Sequence, residues 1–190
     1  YTPFNHRLSD VEQAELGEYV EPALVLHDEE NAQKAASAAR GVSRLRSLAG
    51  YEEWLAGSPG APTPPELGPE DTQMILYTGG TTGVPKGAML PYRQGFYNAV
   101  NTILSWGLRE DDTVIQATPS FHAAINALTV PLLHLGARVV VQRSFDPAEY
   151  LQLVDDLGVT VLFLVPTMYA MLTRDPAFAG TGFQSVRWAI

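Results

Sequence analysis

Tyr77-Thr78-Gly79-Gly80-Thr81-Thr82-Gly83-Val84-Pro85-Lys86-Gly87 is the stretch around which the rest of the sequence organises itself. Its four glycines lack Cβ atoms, so the backbone can enter positive φ and bring its N–H groups close to a ligand. Three threonines add hydroxyl donors, and Lys86 adds a compact positive charge. N–H groups and hydroxyls gathered in this way make a nest for phosphate oxygens. Lys86 is one of only two lysines, with Lys34, in a chain that otherwise uses arginine. A Gly/Thr/Pro run is also ordinary turn material. Two other phosphate loops are excluded. A Walker loop needs Gly before the lysine and Ser or Thr after it, where this chain has Pro85 and Gly87, and the GxGxxG fingerprint is absent.

Working outward, the apolar run TQMILYT reads as a strand entering the loop at 77–88. After it the pattern predicts a helix over 91–106, a strand at 113–117, a helix over 122–135 and a strand at 137–142. A helix over 147–157, opened by Asp146-Pro147, a strand at 159–164 and a helix from Pro166 complete it. On the N-terminal side, Ser9-Asp10 opens a short helix, residues 23–27 suit a buried strand, and a helix over 29–40, a weak strand at 42–48 and a short helix in YEEWLAG follow. Residues 57–69 hold five prolines and read as a linker. The expected organisation is an N-terminal β/α segment over 1–56, a linker over 57–69 and a core subdomain over 70–190. Such alternation predicts an α/β fold, a layered, mostly parallel sheet with helices on both faces, whose ligands bind beyond the C-terminal ends of the strands.

Composition narrows the function classes. With 46% hydrophobic and 17% charged residues, the 190-residue chain can bury a substantial core. A net charge of −9 argues against nucleic acid as a partner. There is no cysteine, so disulfides and thiolate metal sites are excluded, and the four histidines lack metal-ligand spacing. No apolar run reaches the roughly 20 residues of a membrane helix and no signal pattern opens the chain, so a cytoplasmic location is expected. Tyr1 in place of Met, and the strand-like ending SVRWAI, read as a chain cut from something longer.

The 77–87 segment resembles the signature of the adenylate-forming superfamily, which includes acyl- and aryl-CoA synthetases, luciferases and peptide-synthetase adenylation domains. The usual form, Tyr-Thr-Ser-Gly-Thr-Thr-Gly-x-Pro-Lys-Gly, differs only at Gly79, which removes one hydroxyl and keeps an N–H. Asn5-His6-Arg7-Leu8, Pro119-Ser120-Phe121-His122, Leu132-Leu133-x-x-Gly136-Ala137 and Val159-Thr160 through Val165-Pro166-Thr167 resemble further family segments in the same order. The resemblance therefore spans nearly the whole chain and implies part of the large N-terminal domain of such an enzyme.

That resemblance implies an acid–CoA ligase, which joins ATP and a carboxylic acid into an acyl-adenylate and then passes the acyl group to CoA. The acid is expected to be fatty, from the character of FDPAEYLQLV and VLFLVPTMYAML. Thr78, Gly79, Gly80, Thr81, Thr82, Gly83 and Lys86 would hold the nucleotide, and Thr82 would meet Mg²⁺. Lys86 and His122 would stand at the reacting end, His122 without a general-base role. His122, Val165, Pro166 and Thr167 would line the acid pocket beside Met168 and Tyr169, although apolar residues at a helix start also serve as plain core. Ile125 would narrow the space that glycine leaves open in relatives. The family's later motifs, its ribose-binding Asp and its C-terminal catalytic Lys lie beyond Ile190, so the 190 residues alone are not expected to complete the reaction. Homodimer formation stays open. The rival readings are a stand-alone phosphate- or nucleotide-binding module and a P-loop hydrolase, the latter disfavoured by Pro85 and Gly87.

Overall fold

A computed structural model describes residues 1–41, 44–60, 63, 65–78 and 85–190. They form two compact units, Phe4–Glu66 and Leu67–Ile190 with Tyr1–Pro3.

In the first unit, α1 (Asp10–Val20) starts where Ser9 accepts from the Glu12 N–H and the Glu12 carboxylate accepts from the Ser9 N–H at 2.8 Å, a reciprocal cap. A Cβ on Gly17 would stand 2.0 Å from the Ala38 carbonyl oxygen, so glycine lets α1 lie against α2 (Ala32–Ala38). The expected helix over 29–40 divides. Asp28 caps a 3₁₀ turn, Glu29–Asn31, through the Asn31 N–H, and only then does α2 begin. Strands β1 (Val25–His27) and β2 (Leu45–Ser47) pair in parallel, and α3 (Tyr51–Ala56) closes the unit.

The second unit opens with β3 (Thr72–Thr78) and β4 (Lys86–Pro91), which pair antiparallel, with Tyr77 opposite Gly87 and Thr78 opposite Lys86. This corrects the expectation of a loop over 77–88 at the end of a parallel strand, because the segment is the connection of a β-hairpin. Glycine and proline at the ends of KGAMLP hide a strand whose alternation is short. Helix α4 (Tyr92–Trp106) follows without a loop and ends at Gly107, φ +58°.

Four parallel strands come next in the order β6-β5-β7-β8: β5 (Thr113–Gln116), β6 (Arg138–Val141), β7 (Val161–Leu162) and β8 (Trp188–Ala189). Both faces are covered. Val114 and Val161 pack with Leu128, Leu132 and Leu108 on the side of α4 and α5 (Val130–Leu135). Ile115 and Leu162 point the other way, with Tyr150, Leu151 and Val154 of α6 (Pro147–Leu157) and Leu172 of α7 (Pro166–Leu172). Alternation along a strand therefore feeds two apolar layers, as doubly covered parallel strands require. The N-terminal ends of these strands are tied by Asp112, which is 1% exposed and accepts from Arg187 Nη2, Thr160 Oγ1 and the Arg109 N–H at 2.6–2.7 Å. Burial pushes its carboxyl up, and the three donors with the Arg187 charge outweigh that and hold it below the ordinary carboxylate value.

Candidate functional site

Two places in the second unit gather the residues singled out in the sequence. The first is the mouth of the β3–β4 hairpin. Thr78 and Lys86 face each other across the last ladder position, both exposed, and the Thr78 hydroxyl lies 3.4 Å from the Lys86 carbonyl oxygen. Antiparallel pairing of the two flanking residues brings the ends of the Gly/Thr segment together. Gly87 is needed for that pairing, since a Cβ there would meet Ile75 Cγ2 at 2.9 Å and the Tyr77 ring at 3.1 Å. Gly79, Gly80, Thr81, Thr82 and Gly83 lie outside the described residues.

The second place is the C-terminal edge of the four-stranded sheet. Strands β5 and β7 are parallel neighbours, with Val114 beside Val161, so the segments leaving them emerge on the same edge. One carries His122 and the other Val165, Pro166 and Thr167, and all four are exposed. The 119–122 turn closes with the His122 N–H donating to the Pro119 carbonyl at 3.1 Å, and the Phe121 and His122 rings lie 4.6 Å apart. Phe121 is buried beneath it and His122 stands outward.

Met168 and Tyr169, which the sequence offered as either pocket lining or core, serve the core. Met168 packs against the α6–α7 core, and the Tyr169 hydroxyl shares its one proton between the backbone carbonyls of Leu162 and Ile190, at 3.2 and 3.1 Å. Leu162, Leu164 and Leu172 are buried in the same cluster. The apolar character of 159–172 is thus largely spent on packing.

The sequence reading missed three polar residues. Gln116, the last residue of β5, and Thr118 and Thr129 are buried together. Gln116 Nε2 donates to Thr118 O and Oγ1 at 2.6 and 2.7 Å, and Thr129 Oγ1 donates to Gln116 Oε1. The expected helix over 122–135 is also interrupted. Ile125–Thr129 is a π-turn, with α5 beginning only at Val130. The sequence carried no signal for them, because a glutamine at the end of an apolar run shows neither its burial nor its partners. Among the described residues, no group of three His, Asp or Glu side chains could hold a metal ion, and no helix is long and apolar enough to cross a membrane.

Residues 1–190 match the family described as AMP-binding enzyme, and the chain belongs to that family. It is 32% identical to a feruloyl-CoA synthase of Amycolatopsis sp over 188 residues, 98% of this chain and 38% of that protein. It is 36% identical to an indoleacetate–CoA ligase of Aromatoleum aromaticum over 139 residues, 72% of this chain and 27% of that one. Its fold superposes on the O-succinylbenzoate coenzyme A synthetase of Bacillus subtilis in complex with AMP, with a TM-score of 0.80 and 25% identity, over 99% of this chain and 47% of that structure. The chain therefore spans well under half the length of the curated relatives it matches.

Proposed function

We propose that this chain supplies the phosphate-holding hairpin and one wall of the acid site of an AMP-forming acid–CoA ligase. The family membership over residues 1–190 carries this reading, and the closure of the hairpin by Thr78 and Lys86 supports it. Activating a carboxylate means bringing one anion onto the α-phosphate of another. That demands fixed donors around the departing pyrophosphate. In this reading the N–H groups of Gly79, Gly80 and Gly83 and the hydroxyls of Thr78, Thr81 and Thr82 provide those donors, and Lys86 provides the charge. Magnesium would enter with ATP, bound by phosphate oxygens and the Thr82 hydroxyl, and would spread the negative charge that develops there. Neither Thr78 nor Lys86 is consumed by the core, as a phosphate ligand requires.

The acid belongs at the β5–β7 edge, where His122 and Val165 to Thr167 are exposed side by side in the sheet order. Two relatives carry aromatic acids in their names, feruloyl and indoleacetate, which favours an aromatic carboxylic acid. The expectation of a fatty acid drew on FDPAEYLQLV and VLFLVPTMYAML, and the residues that both stretches bury in the α6–α7 core have a sufficient reason there. ATP–pyrophosphate exchange by the full-length protein, measured over a panel of aromatic and aliphatic acids, tests both points. Exchange strongest with an aromatic acid is expected. Nucleotide binding without exchange for any acid would favour the stand-alone binding module.

A further inference from the structure

The π-turn between His122 and α5 has a cause that can be followed bond by bond. The Val130 N–H bonds back to the Ile125 carbonyl, five residues away, instead of to Asn126. The Asn126 carbonyl could then be met only by residue 131, which is Pro131 and has no N–H. A side chain takes the empty place: Asn98 Nδ2 of α4 donates to the Asn126 carbonyl at 2.7 Å. At the other end of the turn, Thr129 Oγ1 donates to Gln116 Oε1, and the amide of Gln116 donates onward to both oxygens of Thr118. The segment 117–129 is therefore tied at both ends. Gln116 and Thr118 hold its start against β5, and Thr129 and Asn98 hold its end.

These are costly choices for a helix start. Buried amides and hydroxyls must all be paired, and apolar residues of similar size would pack there without that constraint. What the polar set provides is register. A π-turn carries one residue more than an α-turn, so losing it would rotate the residues before it by about 100° relative to α5. The residue so moved is His122, at the edge read above as the acid site, together with Ile125, the first residue of the turn, whose N–H donates to the His122 carbonyl at 3.3 Å.

We infer that Gln116, Thr129 and Asn98 are positioning residues that hold the π-turn and so set where His122 stands at the acid-binding edge. The inference rests on the ligase reading. The residues touch no reactant themselves, and α4 places Asn98 on the turn rather than on the hairpin. Their effect should fall on the acid and spare the nucleotide.

The test uses pyrophosphate exchange by the full-length protein with its best acid, measured for wild type, Thr129→Val, Thr129→Ser and Asn98→Leu, with melting temperatures alongside. Thr129→Val leaves Gln116 Oε1 without its donor and should raise the acid KM about tenfold, the scale of one buried hydrogen bond, with the ATP KM within about twofold. Thr129→Ser returns the hydroxyl and should restore the acid KM. Asn98→Leu, in a less buried setting, should reproduce the acid effect and carries the test alone if Thr129→Val does not fold. Acid and ATP KM values rising together, or a lowered melting temperature with the acid KM unchanged, would overturn the positioning role. A wild-type protein silent with every acid would overturn the ligase reading and this inference together, whereas an active wild type whose variants keep their acid KM overturns this inference alone.

Discussion

Replacing Arg187 with methionine should be among the most damaging single changes in the second unit, for a reason that lies entirely in Asp112. That carboxylate is 1% exposed and has three donors, of which Arg187 is the only charged one. Removing one partner of a buried pair leaves an uncompensated charge and costs about 3–5 kcal/mol. Here the lower end applies, about 3 kcal/mol, because Thr160 and the Arg109 N–H remain and the Arg187 side chain is itself 27% exposed. Urea unfolding of the full-length protein, followed by tryptophan fluorescence, would measure it. Asp112→Leu combined with Arg187→Met should be clearly less damaging than the sum of the two single changes, since neither charge is then left behind. The pH dependence has a definite sign. A carboxyl held below its unfolded value of about 3.9 contributes fully at neutral pH and loses that contribution as pH falls below the unfolded value toward the folded one. Arg187→Met should therefore flatten the acid limb of the stability curve below about pH 5. A cost under about 1 kcal/mol, or an unchanged acid limb, would refute the account of Asp112 as the charge that the strand ends are built around.

Three further outcomes follow from close approaches and one orphaned group. Gly87→Ala should drive its Cβ into Ile75 and Tyr77, weaken the hairpin by about 1–3 kcal/mol and raise the ATP KM more than the acid KM, read by exchange kinetics. Gly17→Ala should loosen α1 from α2 by a similar amount, about 1–3 kcal/mol or more because the clash is with backbone, and hydrogen exchange would locate the loss in Phe4–Glu66. Tyr150→Phe should be neutral or stabilising by up to about 1 kcal/mol, since the buried phenol oxygen has no hydrogen-bond partner among the described residues and burial already pushes its ionisation up. A loss above about 1 kcal/mol in urea unfolding would show that the hydroxyl is satisfied.

Legibility in the sequence tracked whether the deciding residues were neighbours. Helix α6 was readable to the residue, because Asp146 caps it, Pro147 opens it and Gly158 ends it at φ +60°. The parallel strands were readable from their apolar runs, although β7 keeps only Val161 and Leu162 in its ladder. Strand β4 was hidden by Gly87, which is there because of Tyr77 ten residues earlier. The π-turn was hidden more deeply. Pro131 looks like an ordinary helix opening, and its consequence appears only when Asn98 and Gln116 are brought to it by α4 and β5. The Gly/Thr segment could be singled out by its chemistry and His122 by the family resemblance, whereas the residues that hold His122's segment in place could not, because a buried amide declares its role only through its partners.

Helix α4 gives these separate observations a common frame. It begins at the residue after β4, so the hairpin strand runs directly into the helix. Three residues apart on it stand Gly95, where a Cβ would come within 2.6 Å of Gln73 Oε1 of β3, and Asn98, which donates to the π-turn. Residues at i and i+3 lie on the same side of a helix, about one turn apart. A single turn of α4 therefore touches the strand that leads into the Gly/Thr segment and the turn that carries His122's neighbourhood. A two-substrate ligase must fix a carboxylate relative to a phosphate, and in-line attack tolerates little error in that distance. In the ligase reading proposed above, two supports on one turn of one helix would meet that demand.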